Sequence, residues 1–172
     1  GQYIPGDINK AIHLYSIVSD KNEPKAQFKL GEIYENGKYV NRDINKAIHY
    51  YLLAANLNFP DAQFKLGEIF ENSKYVNHNI NKAIYYYSLA SNQNYIAAQI
   101  NLGVIYTQGK FVPRDINKAI HYFQLASHQN DPTAQFNLGI IYTRGDYIAR
   151  DIYKAIHYFL LAANQNDPEA QF

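Results

Sequence analysis

Histidine side chains recur at a fixed interval in this 172-residue sequence and are its first candidates for chemistry. His13, His49, His121 and His157 occupy equivalent places in copies of one segment, and Tyr85 takes that place in the third copy. A column of histidines could bind a metal. Packed helices lie roughly 10 Å apart, however, whereas zinc needs nitrogen ligands about 2 Å away. Histidines one copy apart cannot share an ion, so we expect surface side chains and no metal site.

Sequence patterns typical of enzymes are missing. The serines have no matched base, no Ser-x-x-Lys motif occurs, and neither a phosphate loop nor a dinucleotide fingerprint is present. Glu32 and Glu35 share a helix face, but such pairs are common on helix surfaces. Cysteine is absent, which excludes disulfides and thiolate metal sites. We therefore expect neither enzymatic activity nor a cofactor.

Composition argues against two classes of partner. The formal net charge is +1, whereas a nucleic-acid-binding domain normally carries a strong basic excess. No apolar run approaches the roughly 18 residues of a membrane span, and no secretory signal is present. We expect a cytoplasmic location. The lumen of the secretory pathway is the alternative, because Gly1 is not a natural start and an upstream signal could have been removed.

A repeat of 36 residues organises the chain. The segment "DINKAIHYYLLAANLN" at 43–58 recurs from positions 7, 79, 115 and 151. A second segment, "PKAQFKLGEIYEN" at 24–36, recurs at 60–72, 96–108 and 132–144. Its apolar residues at i, i+4, i+7 and i+8 predict one face of a helix. In the other segment Ala47, Tyr51 and Ala54 form the predicted inner stripe, so each repeat is predicted to be a pair of helices.

The helix ends are also visible in the sequence. Asp43 and Asp131 are good N-caps, and Pro132 suits the first helical position. We expect the first helix of each pair to end at a left-handed glycine and the second to stop at asparagine. The glycines are Gly37, Gly109 and Gly145, with a slightly strained Ser73 in the second copy, and the asparagines are Asn58, Asn94, Asn130 and Asn166.

These residues together form a known pattern. They read Ala26-x-Phe28-x-Leu30-Gly31-x-x-Tyr34-x-x-Gly37, then Val40, Asp43, Lys46-Ala47-x-x-Tyr50-Tyr51-x-x-Ala54-Ala55. The pattern resembles the Sel-one-like repeat, a relative of the tetratricopeptide repeat, over essentially the whole chain. The resemblance implies an all-α fold, an α-solenoid in which antiparallel helix pairs form a right-handed superhelix of 36-residue repeats.

The register defines the expected domain organisation. We expect a single array over residues 1–172, and a segment of a longer one, because neither end resembles the polar capping unit that closes such arrays. It consists of a partial repeat at 1–23 with a lone second helix at 7–20, complete repeats at 24–59, 60–95, 96–131 and 132–167, and a partial repeat at 168–172.

Glycine recurs inside the first helix of each pair, at Gly31, Gly67, Gly103 and Gly139. Glycine within a helix costs about 1 kcal/mol relative to alanine. A cost repeated in every unit predicts a close approach of a neighbouring helix. Aromatic pairs such as Tyr50-Tyr51 are predicted to fill the wider gaps.

The positions that vary between copies are candidates for binding. In the first helix they lie 4, 3 and 4 residues apart and share one narrow stripe. In tetratricopeptide-like arrays the first helix lines the concave surface, so the resemblance places this stripe in a groove. The alternative is a solvated face without a ligand. The candidate residues are Lys25, Lys29, Glu32, Asn36, Asp61, Lys65, Glu68, Asn72, Asn101, Gln108, Thr133, Asn137 and Arg144.

The leading functional hypothesis is a scaffold or adaptor that binds a partner protein or peptide on the concave surface. One alternative is a structural subunit that makes contacts through the convex face or the array ends. The second is an RNA-binding helical repeat, although Glu32, Asp61 and Glu68 interrupt the basic residues that RNA requires. The family resemblance implies settings as different as degradation complexes at the endoplasmic reticulum, regulation of signalling or cell-wall synthases, and bacterial host interaction.

Overall fold

The structure is a computed structural model that describes residues 5–38, 40–72, 77–145 and 148–164, with side chains from Lys10 onward. The described residues form helices and connecting turns without any strand, which confirms the all-α repeat fold. The helices are α1 (Pro5–Ser19), α2 (Pro24–Asn36), α3 (Ile44–Asn56), α4 (Pro60–Glu71), α5 (Ile80–Ser91), α6 (Ile96–Gln108), α7 (Ile116–Ser127), α8 (Pro132–Arg144) and α9 (Ile152–Asn164).

The contacts divide the chain into two compact units, unit 1 (Gly1–Ala90) and unit 2 (Ser91–Phe172). The core of unit 1 includes Tyr51 and Leu66, and that of unit 2 includes Phe123 and Leu138. A single array over 1–172 stays a prediction. The expected strain at Ser73, the helix end at Asn166 and the partial repeat at 168–172 lie outside the described residues.

Each complete repeat is an antiparallel helix pair. The Nζ of Lys46, at the start of α3, lies 5.1 Å from the ring centre of Tyr34, near the end of α2. The backbone N–H of Asp43 donates to the carbonyl of Tyr34 across the same connection at 3.0 Å. The equivalent bond recurs in the other repeats and joins Asn79 to Phe70, Asp115 to Tyr106, and Asp151 to Tyr142.

The helix ends follow the predicted residues closely. Gly37, Gly109 and Gly145 have φ values of 64°, 63° and 68°, and Asn58, Asn94 and Asn130 have φ values of 59°, 62° and 62°. Several boundaries differ from the prediction. Helices α3, α5 and α7 end at Asn56, Ser91 and Ser127, two or three residues before the asparagines at which they were expected to stop, and α1 ends at Ser19 rather than at 20. Helix α4 ends at Glu71 rather than at 72, because Asn72 adopts an extended conformation with φ −98° instead of the helical one that Asn36 has in α2. Helix α1 begins at Pro5 rather than at 7, because proline fits the first helical turn.

The mid-helix glycines bring the paired helices into close contact, which confirms the predicted approach. A Cβ added to Gly31 would lie 2.5 Å from Cδ1 of Tyr51, and one added to Gly103 would lie 2.6 Å from Cε1 of Phe123. The second aromatic residue of each pair therefore covers the glycine. The first aromatic residue of the pair packs elsewhere: Tyr50 stacks on Tyr34 with ring centres 5.8 Å apart.

Buried glutamines join consecutive repeats. The side-chain amides of Gln27, Gln63 and Gln99 donate to the carbonyls of Ser19, Ala55 and Ser91, at 3.3, 3.3 and 3.4 Å. Each bond runs from the first helix of a repeat to the last turn of the preceding helix. The invariance of this glutamine among the copies therefore has a structural cause, because it pairs a backbone carbonyl near the end of a helix.

Candidate functional site

The thirteen stripe residues all lie on or directly after the first helices α2, α4, α6 and α8, and none of them is buried. The exposed members are Lys25, Asn36, Asn72, Gln108, Thr133 and Arg144, and the half-buried members are Lys29, Glu32, Asp61, Lys65, Glu68, Asn101 and Asn137. They are accessible enough to contact a partner. Their role in binding stays a prediction.

In unit 1 the charged stripe residues pair with one another. Lys29 forms an ion pair with Glu32, and this hydrogen bond raises the pKa of the lysine. Lys65 lies 2.9 Å from a carboxylate oxygen of Glu68 and 4.0 Å from one of Glu35. Burial alone would lower the pKa of Lys65, but the carboxylates of Glu68, Glu35 and Glu32 outweigh it and the pKa is raised. Much of the charge in this part of the stripe is therefore neutralised within the protein.

A small cleft of unit 1 lies between the ends of α2 and α4. Its volume is about 200 Å³, and its lining consists of Glu35, Lys65, Glu68, Ile69 and Asn72. Glu35 also accepts a 2.6 Å hydrogen bond from the hydroxyl of Tyr51. Two carboxylates and one lysine make this cleft net acidic.

The corresponding cleft of unit 2 has different chemistry. Its volume is about 80 Å³, and it is lined by Thr107, Arg114, Ile116, Ile140, Ile141, Arg144 and Ile148. In the 36-residue register Thr107 replaces Glu35, Ile140 replaces Glu68 and Arg144 replaces Asn72. The unit 2 cleft is therefore aliphatic with two cationic groups and no carboxylate in its lining.

Two amide side chains on the stripe of unit 2 have hydrogen-bonding groups available. The side chain of Asn101 makes no hydrogen bond with another described residue. Asn137 donates to the carbonyl of Thr133 at 2.8 Å, and its side-chain carbonyl has no donor among the described residues. These amides sit on consecutive first helices at equivalent positions. They can bind the backbone of an extended peptide.

Sequence reasoning identified only part of the unit 2 cleft. Arg144 was a candidate, and Ile140 occupies the stripe position that Glu68 holds in its own copy. Thr107, Arg114 and Ile148 were not candidates. Arg114 and Ile148 lie in the connections between helices, and Thr107 is one residue outside the stripe. Loop residues carry no helical periodicity, so the only available signal was the change of Glu35 to Thr107 between copies.

The histidines lie where the spacing predicted, since His13, His49, His121 and His157 are all exposed on second helices. Each of the last three packs edge-on against the following tyrosine, as His121 does against Tyr122 at 5.3 Å. Within the described ranges, no three His, Cys, Asp or Glu side chains come close enough together to hold a metal ion. None of the described helices has both the length and the apolarity to cross a membrane.

Comparison with solved structures supports the same fold. The chain is similar to c5321, described as a protective antigen of uropathogenic Escherichia coli with an SLR fold, with 28% identity and a TM-score of 0.83. It is also similar to a Sel1 repeat protein from Oxalobacter formigenes, with 34% identity and a TM-score of 0.78, and to Helicobacter pylori cysteine rich protein B, with 28% identity and a TM-score of 0.55.

The alignments cover most of this chain but unequal parts of the others. They include 92%, 94% and 78% of this chain, and 34%, 66% and 96% of the respective relatives. This chain thus spans about a third of the E. coli protein and 66% of the Oxalobacter protein. No match was found among curated proteins.

A family model for the Sel1 repeat matches residues 1–22, 24–59, 60–95, 96–131 and 132–167, in the register that the sequence pattern predicted. Sel1 repeat proteins generally act as protein-interaction scaffolds and are typically not catalytic. Because five matched repeats cover nearly the whole length, this chain belongs to the Sel1 repeat family.

Proposed function

We propose that this chain is a protein-interaction module whose first-helix stripe binds an extended peptide segment of a partner, with unit 2 providing the principal contacts. The observation that carries the proposal is the state of two side chains: the Asn101 amide has no hydrogen bond to a described residue, and the side-chain carbonyl of Asn137 has no donor among them. An extended peptide has unpaired backbone N–H and C=O groups at regular intervals, and side-chain amides can both donate to them and accept from them.

The difference between the two units supports the emphasis on unit 2. A partner that binds the stripe of unit 1 must compete with the ion pairs of Lys29 with Glu32 and of Lys65 with Glu68. The stripe of unit 2 contains no described ion pair and alternates the amides with Val104 and Ile140. Polar groups for the partner's backbone and apolar groups for its side chains are therefore adjacent.

The test begins with selection of peptides from a random display library on the immobilised 172-residue chain. A selected peptide is then synthesised, and its dissociation constant is measured by fluorescence anisotropy for the wild type and for two double variants. Asn101→Ala/Asn137→Ala removes the stripe amides. Asn45→Ala/Asn117→Ala removes two exposed asparagines from second helices and serves as the matched control.

We expect the stripe variant to bind at least about tenfold more weakly, since two net hydrogen bonds of about 1 kcal/mol each are lost. The control variant should bind like the wild type. Circular dichroism verifies that both variants keep their helices. Equal affinity of the stripe variant and the wild type, or an equal loss in both variants, would overturn the proposal.

A further inference from the structure

The cleft of unit 2 combines an apolar floor with cationic groups at its rim. Ile116 begins α7, Ile140 and Ile141 belong to α8, and Ile148 follows α8 in the next connection. Thr107, Arg114 and Arg144 complete the lining, and no acidic side chain takes part in it. The cleft can therefore receive an apolar group and a negative charge at the same time.

The two arginines are held differently. Nη2 of Arg114 donates to the carbonyl of Gln108 at 3.3 Å, which anchors this side chain at the end of α6. Arg144 is exposed and forms no ion pair with the described residues. Its guanidinium is therefore available to a carboxylate, which it can bind through two parallel hydrogen bonds.

The size of the cleft limits the apolar group. An engineered cavity of about 150 Å³ in another protein accommodates benzene, whereas this cleft holds about 80 Å³. A branched aliphatic side chain is smaller than an aromatic ring and matches the isoleucine lining. Burial of such a side chain contributes roughly 1.5–3 kcal/mol, so the cleft suits one aliphatic anchor.

The two units carry different charges at this place in the repeat. In unit 1 the same place in the repeat carries Glu35, Glu68 and Asn72 and is acidic; in unit 2 these residues become Thr107, Ile140 and Arg144. Glu35 changes together with its hydrogen-bond partner Tyr51, so that change has a packing cause. Asn72 carries no charge, and Glu68 pairs with Lys65 on the stripe rather than with a core residue, so the charge at these two positions is free to specify a ligand.

We propose that the unit 2 cleft binds a partner segment in which an aliphatic side chain is adjacent to an aspartate or glutamate. The aliphatic group occupies the isoleucine-lined floor, and the carboxylate pairs with Arg144, with Arg114 close by. This inference rests on the proposed function and specifies the chemistry of the peptide that the stripe binds.

The test uses short acetylated and amidated peptides, so that any carboxylate comes from a side chain. The ¹⁵N-labelled chain is titrated with glycine- and serine-flanked peptides that contain Leu with Glu, Leu with Gln, Ser with Glu, or Leu with Lys, each in both orders. Dissociation constants are obtained from amide shifts. A fifth peptide that ends in Leu with a free carboxylate distinguishes a chain terminus from an acidic side chain.

We expect the peptide with Leu and Glu to bind about tenfold more tightly than the other three amidated peptides, because each of them lacks the anchor or the charge. Arg144→Gln should abolish this preference. Arg150→Gln, which removes an exposed arginine outside the cleft, should preserve it. The variant Ile140→Glu/Arg144→Asn copies unit 1 and should reverse the preference toward Leu with Lys.

The outcomes separate the two proposals. Equal affinity for all amidated peptides, equal effects of Arg144→Gln and Arg150→Gln, or tighter binding of the peptide with the free carboxyl terminus would each overturn the inference. If display-selected peptides still require Asn101 and Asn137 in that case, the peptide-binding function survives without the cleft. If they do not, both proposals fail.

Discussion

The hydroxyl of Tyr51 donates a 2.6 Å hydrogen bond to the carboxylate of Glu35 and thereby connects α3 to α2. Tyr87 and Glu71 repeat this bond at 2.7 Å. In unit 2 both partners change together: Phe123 takes the tyrosine position, and the hydroxyl of Thr107 donates at 2.7 Å to a carbonyl of its own helix. The exchange removes donor and acceptor at once, so no buried polar group loses its partner.

The paired exchange predicts energetic coupling between residues 35 and 51. Tyr51→Phe and Glu35→Thr should each lower the free energy of unfolding by about 1–2 kcal/mol, because each leaves one polar group without its partner. The double variant recreates the pair found in unit 2 and should cost less than the sum, with a coupling energy of about 1 kcal/mol. Urea unfolding of all four proteins measures the cycle.

Tyr50→Phe is the control for removal of a hydroxyl, because Tyr50 is only half-buried and its hydroxyl makes no hydrogen bond with the described residues. Its effect should stay within about 0.5 kcal/mol. Strict additivity of the two substitutions at 35 and 51 would contradict the prediction.

The same hydrogen bond predicts a loss of stability at alkaline pH. Burial and the Glu35 carboxylate raise the pKa of Tyr51 well above its ordinary value of 10.0. Below pH 10 the phenol is protonated in both states, and its contribution to stability is complete. Above pH 10 the unfolded chain releases the proton while the folded chain keeps it, so stability falls as pH rises toward the folded pKa.

One differential proton corresponds to a slope of about 1.4 kcal/mol per pH unit. Urea unfolding of the wild type and of Tyr51→Phe at several pH values from about 9 to 11 measures the two slopes. The slope of the variant above pH 10 should be smaller by up to that amount. Parallel slopes would show that Tyr51 ionises equally in the folded and unfolded states.

The contact between Gly103 and Phe123 predicts that alanine at position 103 destabilises the protein, although alanine normally favours a helix. Gly103→Ala gains up to about 1 kcal/mol of helix propensity, but its Cβ would lie 2.6–2.8 Å from the ring of Phe123, which is only 1% exposed. Overpacking of this kind costs about 1–3 kcal/mol, so we expect a net loss in free energy of unfolding. The double variant Gly103→Ala/Phe123→Leu should lose less than the sum of the two single variants, and a stabilised Gly103→Ala would exclude the clash.

The N-cap residues predict that substitutions of Asp115, at the start of α7, lower the free energy of unfolding by different amounts. Asp115 accepts a 3.0 Å hydrogen bond from the backbone N–H of Lys118, and Asn79 accepts the same bond from Lys82. Asp115→Ala should therefore cost about 1 kcal/mol, whereas Asp115→Asn should cost only a few tenths, since both natural caps serve here. Thermal and urea unfolding compare the variants. Equal losses for alanine and asparagine would indicate that charge, rather than the cap hydrogen bond, matters.

Much of the local structure could be predicted from particular residues. Pro24, Gly37 and Asn58 occur where the backbone needs a first-turn proline or a left-handed residue, so they identify helix ends before any packing is known. The predicted end of α4 at residue 72 was wrong in the one copy that has Ser73 in place of the C-terminal glycine. The predicted start of α1 at residue 7 was wrong because no first helix precedes this copy in the sequence, so its start could not be compared with the other copies.

The candidate site was predictable only in part. Helical spacing placed the thirteen stripe residues on accessible faces, but it could not show that Lys65 reaches Glu35 on another helix. It also overlooked Arg114, a connection residue that enters the cleft beside Ile140 only when α6, α7 and α8 have packed.

The sequence by itself determined the repeat, its helices and their ends, because periodicity and capping depend on residues within about one helical turn of each other. Only the tertiary structure decided that Lys65 of unit 1 reaches Glu35 on another helix and that unit 2 joins two arginines to an aliphatic cleft. These arrangements bring together residues 30 positions apart, since Lys65 lies 4.0 Å from Glu35 and both Arg114 and Arg144 line one cleft. Their geometry depends on how one helix packs against the next, which no local pattern encodes.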